Sequence, residues 1–238
     1  MKYLFSVIIL LSFSYCLSYA QSEEPPIDRW DTWLILGNKF VLGGKENFRH
    51  SHELQWRVND NMRQLKEWFY EGVFTYSPNS KWEFVPDFRA SVKPERYDFR
   101  FGLGTVHKSN FYSSESKLSS QFVKQFKYQL DIDSRGNVRQ GIRLVLTYNY
   151  IVSEHILIGG LIGPFYRWSE SFTGIEFIRG GGVFTYVFDP SHTLSFAPLF
   201  GAGNIKPNGW SYSFTPMFSL IIRINKDYKY VPAKYINF

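Results

Sequence analysis

Hydrophobic and polar residues alternate along most of this chain. From Val138 to Tyr150 the even positions read Val138, Gln140, Ile142, Leu144, Leu146, Tyr148 and Tyr150, and the odd ones read Arg139, Gly141, Arg143, Val145, Thr147 and Asn149. Successive side chains of a β-strand point to opposite faces, so this segment predicts a strand with one apolar and one polar face. Helical spacing would mix the two sets. The pattern recurs where Trp82, Phe84, Pro86, Phe88, Ala90 and Val92 alternate with Glu83, Val85, Asp87, Arg89, Ser91 and Lys93. Phe122, Phe126, Tyr128 and Leu130 likewise oppose Gln121, Gln125, Lys127, Gln129 and Asp131, and a similar run extends from Trp210 to Ile224.

Turn residues between these runs predict strands near Trp33 to Leu42, His52 to Val58, Leu65 to Tyr76, Lys81 to Val92, Tyr97 to His107 and Leu118 to Ile132. Further strands follow near Val138 to Val152, His155 to Trp168, Ile175 to Phe188, Thr193 to Gly203 and Trp210 to Ile224, and the tail from Tyr228 to Phe238 would make one more. These runs match the roughly 9 to 11 residues that a tilted strand needs to cross a bilayer, rather than the roughly 5 to 6 of soluble strands. The fold class expected is therefore all-β: a single up-and-down antiparallel transmembrane β-barrel of about 12 strands, with ten also acceptable. A soluble lipocalin-like barrel is the rival. It would bury an aliphatic face, whereas here the apolar face is rich in Trp, Tyr and Phe near strand ends, as in the aromatic girdles of membrane barrels. Placing the N-terminus in the periplasm puts the tight connections at Pro78-Asn79-Ser80, Ser153-Glu154 and Asp189-Pro190-Ser191 outside, where short turns are unusual. Either a boundary near one end is misplaced or this barrel has short turns at both ends.

The N-terminus predicts export. Lys2 precedes an apolar run from Tyr3 through Leu11, and Ser18 and Ala20 supply the small residues of a signal peptide cut after Ala20. The run is shorter than the roughly 20 apolar residues of a spanning helix. A lipid-anchored start at Cys16 is disfavoured by bulky Tyr15. The expected organisation is a leader over residues 1–20, a periplasmic lead-in over 21–29 with Pro25 and Pro26, and one barrel domain over 30–238.

Composition narrows the class further. Aromatics are 19% of residues, and no apolar stretch after the leader approaches a spanning helix. Cys16 is the only cysteine, so the chain of 218 residues left by cleavage (238 minus 20) holds no disulfide and no thiolate metal site. The formal charge of +6 is spread without a basic block, which argues against nucleic acid as a partner. Outer-membrane lipid and lipopolysaccharide, and other outer-membrane proteins, are the partners expected. Phe238, with Ile236 and Tyr230 on the same alternating face, resembles the terminal signal read by the barrel-assembly machinery.

Four short elements carry a family resemblance: His52-Glu53-Leu54-Gln55-Trp56-Arg57, Tyr128-Gln129, Arg139-Gln140-Gly141-Ile142-Arg143, and Arg179-Gly180-Gly181-Gly182-Val183-Phe184-Thr185-Tyr186. In order and spacing they resemble an uncharacterised family of Gram-negative outer-membrane β-barrel proteins labelled only as a domain of unknown function (DUF2490-like). The likeness covers most of the chain and departs in the tail after Ile224. It implies the fold and an outer-membrane location, and it assigns no chemistry.

The polar face predicts a lumen charge cluster of Glu53, Arg57, Glu67, Glu71, Glu83, Asp87, Arg89, Asp98, Arg100, Arg139, Arg143, Arg167, Arg179 and Arg223. Acids fall in the early strands and arginines mark the later ones, so closure should set an acidic wall against a basic one, paired across a narrow lumen. This predicts a structural or partner-binding barrel with a charge-filled interior and no evident catalytic site. The alternative is a narrow channel in which Arg139, Arg143, Arg167, Arg179 and Arg223 favour small acidic solutes such as oligosaccharides.

An enzymatic reading rests on Val106-His107-Lys108-Ser109-Asn110, which resembles the His-x-Ser-Asn element of outer-membrane lipid A deacylases. The resemblance makes His107 the base and Ser109 the nucleophile of a lipid A-modifying hydrolase. Period 2 places the two on one face, but Lys108 and Phe111 do not fit, and Glu115 lies in a loop away from the family's glutamate position. His50 and His52 share a face and would need a third ligand to hold a metal, so neither a metal nor another cofactor is expected. Glycines 159, 160, 163, 180, 181, 182, 201 and 203 fall in three consecutive strands, where they relieve crowding and let a small barrel bend.

Overall fold

The computed structural model describes residues 30–43, 46–113, 117–170, 172–189, 191–206, 209–224 and 232–234. The expected leader, the lead-in, Glu115 and Phe238 lie outside the described residues. Each alternating segment forms a strand: β1 (Trp30–Thr32), β2 (Leu34–Gly43), β3 (Phe48–Asn59), β4 (Gln64–Tyr76), β5 (Trp82–Lys93), β6 (Arg96–Tyr112), β7 (Leu118–Asp133), β8 (Val138–Ile151), β9 (Ile156–Trp168), β10 (Thr173–Asp189), β11 (His192–Lys206) and β12 (Gly209–Arg223). Neighbours in sequence are neighbours in space from β2 to β12, every pair antiparallel.

The sheet closes through β2 and β12, which run parallel from Ile35 opposite Met217 to Val41 opposite Arg223. β1 lies in line with β2 and pairs in the same register, Thr32 opposite Phe214. Between them the Trp33 N–H still donates to the Phe214 carbonyl at 2.8 Å. The barrel is thus an 11-strand closed sheet with one short additional strand. Two expectations change here. The closing pair is parallel rather than antiparallel, and the extra strand among the described residues is β1, while most of the strand expected from Tyr228 to Phe238 lies outside the described residues. Of that tail, 232–234 is described and is not strand.

An odd number of staves makes the chain enter the barrel at one end and leave it at the other. Turns at 60–63, 94–95 and 134–137 share the end where β2 begins, and turns at 77–81 and 152–155 share the opposite mouth, where β12 finishes. Connections are short at both ends, which answers the orientation conflict posed by the turns. They are well capped: Asp133 Oδ1 accepts the Arg135 and Asn137 N–H groups, each at 3.0 Å, around Gly136 at φ 84°.

The alternation sorts side chains as strand geometry requires. Outside lies a continuous apolar belt that includes Phe101, Leu103, Phe126, Ile162, Phe184, Phe200 and Phe218, with Leu103 62% exposed. In water such a surface would be a large liability, and facing lipid it is what a spanning barrel needs. The interior is packed. On the β8–β12 side Ile35, Val145, Leu161, Val183, Ala197, Leu199 and Met217 form a buried apolar cluster. At the opposite mouth Val73, Val85, Val106, Val123 and Ala233 form a second one.

Candidate functional site: the charge-filled lumen

The polar positions of β3 to β7 point into the barrel, and their charges meet there. Glu71 Oε2 accepts from Arg89 Nη2 at 2.6 Å and from Arg89 Nε at 3.1 Å. Lys127, projecting from β7, stands 3.3 Å from Glu71 Oε1 and 2.7 Å from Asp87 Oδ2. The Arg89 guanidinium also lies 3.7 Å above the Phe69 ring, which is fully buried. Nearer the end where β2 begins, Arg57 binds Glu67 at 3.1 Å and takes Gln55 Oε1 at 2.7 Å, while Gln55 donates to Glu53 at 2.9 Å. Asp131 joins Arg100 on β6 to Arg167 on β9, the latter at 3.2 Å. Arg167 also reaches Glu176, and Asp98 holds Lys93 and Arg139.

Two packing details make room for this network. A Cβ at residue 102 would sit 2.4 Å from Asp87 Oδ2 and 2.5 Å from Lys127 Cε, so only glycine leaves space for that ion pair. A Cβ at residue 141 would sit 2.5 Å from Phe165 Cζ, so Gly141 admits a buried ring into the lumen. Burying unpaired charges costs several kcal/mol each, and the pairs and hydrogen bonds offset that cost.

The residues singled out from sequence therefore all point into the interior, but their arrangement differs from the expected one. Acids find partners mainly on their own side of the barrel, in Arg57, Arg89, Arg100, Lys108 and Lys127, rather than on a facing basic wall. The late-strand wall carries the apolar cluster instead. Of its arginines, Arg139 reaches Asp98 and Arg167 reaches Asp131, both acids of the early strands. Arg143 contacts Gln125 at 3.5 Å, and Arg179 lies over the rings of Trp33 and Phe177. Lys108, Lys127 and Asp131 join the expected cluster, and their signal in the sequence is their place on the polar face of β6 and β7.

At the opposite mouth, Lys108 Nζ binds Glu83 Oε1 at 2.9 Å with both side chains fully enclosed, and Arg49 reaches Glu83 Oε2 at 3.3 Å. Beside them opens a cavity of about 400 Å³ bordered by Lys39, Arg49, Arg223 and Lys234, with Glu154 the acid among its lining residues. Residues 232–234 form part of its wall.

The enzymatic candidates do not form a dyad. His107 and Ser109 share the outer face, as period 2 requires, but the His107 ring packs edge-on against Trp82 at 4.7 Å and its Nδ1 has no hydrogen-bond partner. No hydrogen bond joins His107 to Ser109. His50 and His52 also lie outside, where a ring nitrogen of each is 3.2 Å from the other and His52 continues to the Tyr70 hydroxyl. Among the described residues no group of three potential ligands converges on a metal position.

No protein-family model matches the sequence, and no curated protein matches it. Solved structures do match in shape. The NanC porin superposes with a TM-score of 0.51 at 9% identity, covering 82% of this chain and 99% of that one. The KdgM porin, solved in complex with disordered oligogalacturonate, gives 0.43 at 16% identity, covering 76% and 93%. The chain has the fold of a porin-type β-barrel.

Proposed function

We propose that this protein is an outer-membrane barrel with a closed, charge-filled interior, a structural or partner-binding element of the membrane rather than an open pore or an enzyme. The observation that carries the reading is the Lys127 bridge to Glu71 and Asp87, which reaches past β6 to tie β4, β5 and β7 together inside the barrel beside the buried Phe69. Its proposed setting is the bacterial outer membrane, reached through a cleaved leader and the barrel-assembly machinery. Lipopolysaccharide and other outer-membrane proteins are its neighbours there. Membership of the uncharacterised family resembled by the four sequence elements belongs to the same proposal. Planar-bilayer recording tests it: purified barrel should insert without conductance steps at low or high salt, and steady ohmic steps would overturn it.

One observation favours a second reading, a narrow channel for small acidic solutes. The mouth cavity gathers Lys39, Arg49, Arg223 and Lys234 around a space large enough for a sugar-sized anion. Small acidic solutes are the class such a lining would attract. Swelling of proteoliposomes in galacturonate but not in an equal concentration of galactose would favour the channel over the closed barrel.

A further inference from the structure

At the opposite mouth, side chains of the barrel wall hydrogen-bond to the main chain of residues 232–234. Residues 232–234 lie inside the barrel, well away in sequence from the strands that hold them. The Ala233 N–H donates to Glu83 Oε1 at 2.8 Å, and the Lys234 N–H donates to Gln121 Oε1 at 2.7 Å. Asn149 Nδ2 donates to the Lys234 carbonyl at 2.7 Å, and Gln121 Nε2 reaches the Pro232 carbonyl at 3.4 Å. Side chains of β5, β7 and β8 thus read successive main-chain groups of the segment, which is how peptide grooves gain affinity without regard to most side chains.

The seat is also shaped. Ala233 is 8% exposed and packs into the cluster of Val73, Val85, Val106 and Val123. Pro232 brings no N–H that would need a partner. The reading groups are themselves held: Gln121 Nε2 donates to Asn110 Oδ1 at 2.9 Å, and Glu83 is fixed by Lys108 and Arg49. Buried polar groups tied on several sides pre-organise a site before its ligand arrives.

We infer that Glu83, Gln121 and Asn149, with the valine floor, form a peptide-binding site whose ligand is this chain's own segment around Ala233. The site is distinct from the ion-pair network at mid-barrel and stands whether or not the barrel conducts.

The experiment uses the chain from Gln21 onward, which lacks Cys16, refolded in detergent with Ala233→Cys as its one thiol. Folding is verified by the heat-dependent gel shift of an intact barrel. A charged maleimide should label this thiol slowly. Adding Gln121→Ala and Asn149→Ala should speed labelling on the order of tenfold or more, the size expected for the loss of two or three hydrogen bonds. Rapid labelling in both backgrounds, or equally slow labelling in both, overturns the inference. In a second arm, a synthetic peptide of residues 225–238 is titrated onto a barrel ending at Ile224. Saturable binding that the two alanine substitutions abolish is the expected result. A folded truncated barrel that binds no peptide overturns the inference, and if truncation prevents folding the labelling arm decides it.

Discussion

Lys127 Nζ sits 2.7 Å from Asp87 Oδ2, and both side chains are almost wholly enclosed. The same ammonium also serves Glu71, so one cation holds two buried carboxylates. Lys127→Ala would remove the ammonium that Asp87 and Glu71 share. Breaking a buried pair in this way costs about 3–5 kcal/mol. Urea-dependent refolding into lipid vesicles should show a loss of that size, and Lys127→Ala combined with Asp87→Asn should recover a large part of it.

Gly102 provides the space that this pair occupies. Gly102→Ala inserts a methyl group within 2.5 Å of both Asp87 and Lys127. One of the two must move, and forced repacking of this kind costs about 1–3 kcal/mol. Gly136→Ala makes a contrasting control: it meets no neighbouring atom but sits at φ 84°, so its cost comes from backbone strain alone. The two variants should both fold less stably, and only Gly102→Ala should respond to a second substitution at Asp87.

The outward belt makes a prediction about lipid. Leu103 is 62% exposed near the middle of β6. Leu103→Arg should cost about 2–4 kcal/mol of folding stability in a bilayer, the value for an arginine near the midplane. Leu103→Phe should be nearly neutral. Equal stability of the arginine variant and the parent in vesicles would contradict lipid exposure of this face.

The peptide seat predicts a pH dependence of defined sign. Burial, and secondarily Arg223, holds the seated Lys234 ammonium below its ordinary value. Lys39, Arg49, Glu154 and Arg223 line the cavity beside it. A lysine that is depressed when bound and ordinary when free weakens binding while both forms are charged. That penalty fades as pH rises from the bound value toward the free value of about 10.4. Peptide of residues 225–238 should therefore bind the truncated barrel more tightly as pH climbs through this window, and a Lys234→Met peptide should lose that part of the trend.

How much of this was legible in the sequence follows from where the information lies. Strands such as Trp82–Lys93 and Val138–Ile151 could be read directly, because period-2 alternation records which face meets lipid and which meets the lumen. Closure could not be read, since alternation is blind to whether β2 meets β12 parallel or antiparallel. The charge cluster was found as a set of inward positions, but its pairing was not. Glu71 with Arg89 is a nearest-neighbour contact across β4 and β5, whereas an opposing-wall picture assigned partners by sign alone. Lys108 offered an alternation signal too, yet it stood inside the His107–Ser109 element and drew attention as a flaw in that motif instead of as a partner for Glu83. The position of Ala233 had no local signal at all, because its hydrogen bond to Glu83 spans 150 residues of chain.

The odd number of staves also decides which rim the seat serves. A polypeptide that starts at one rim and finishes its last stave at the other arrives, at Arg223, on the same rim that seats Ala233. An even count would have left the two at opposite ends, so the parity of the sheet brings the seat within reach of the chain's later residues.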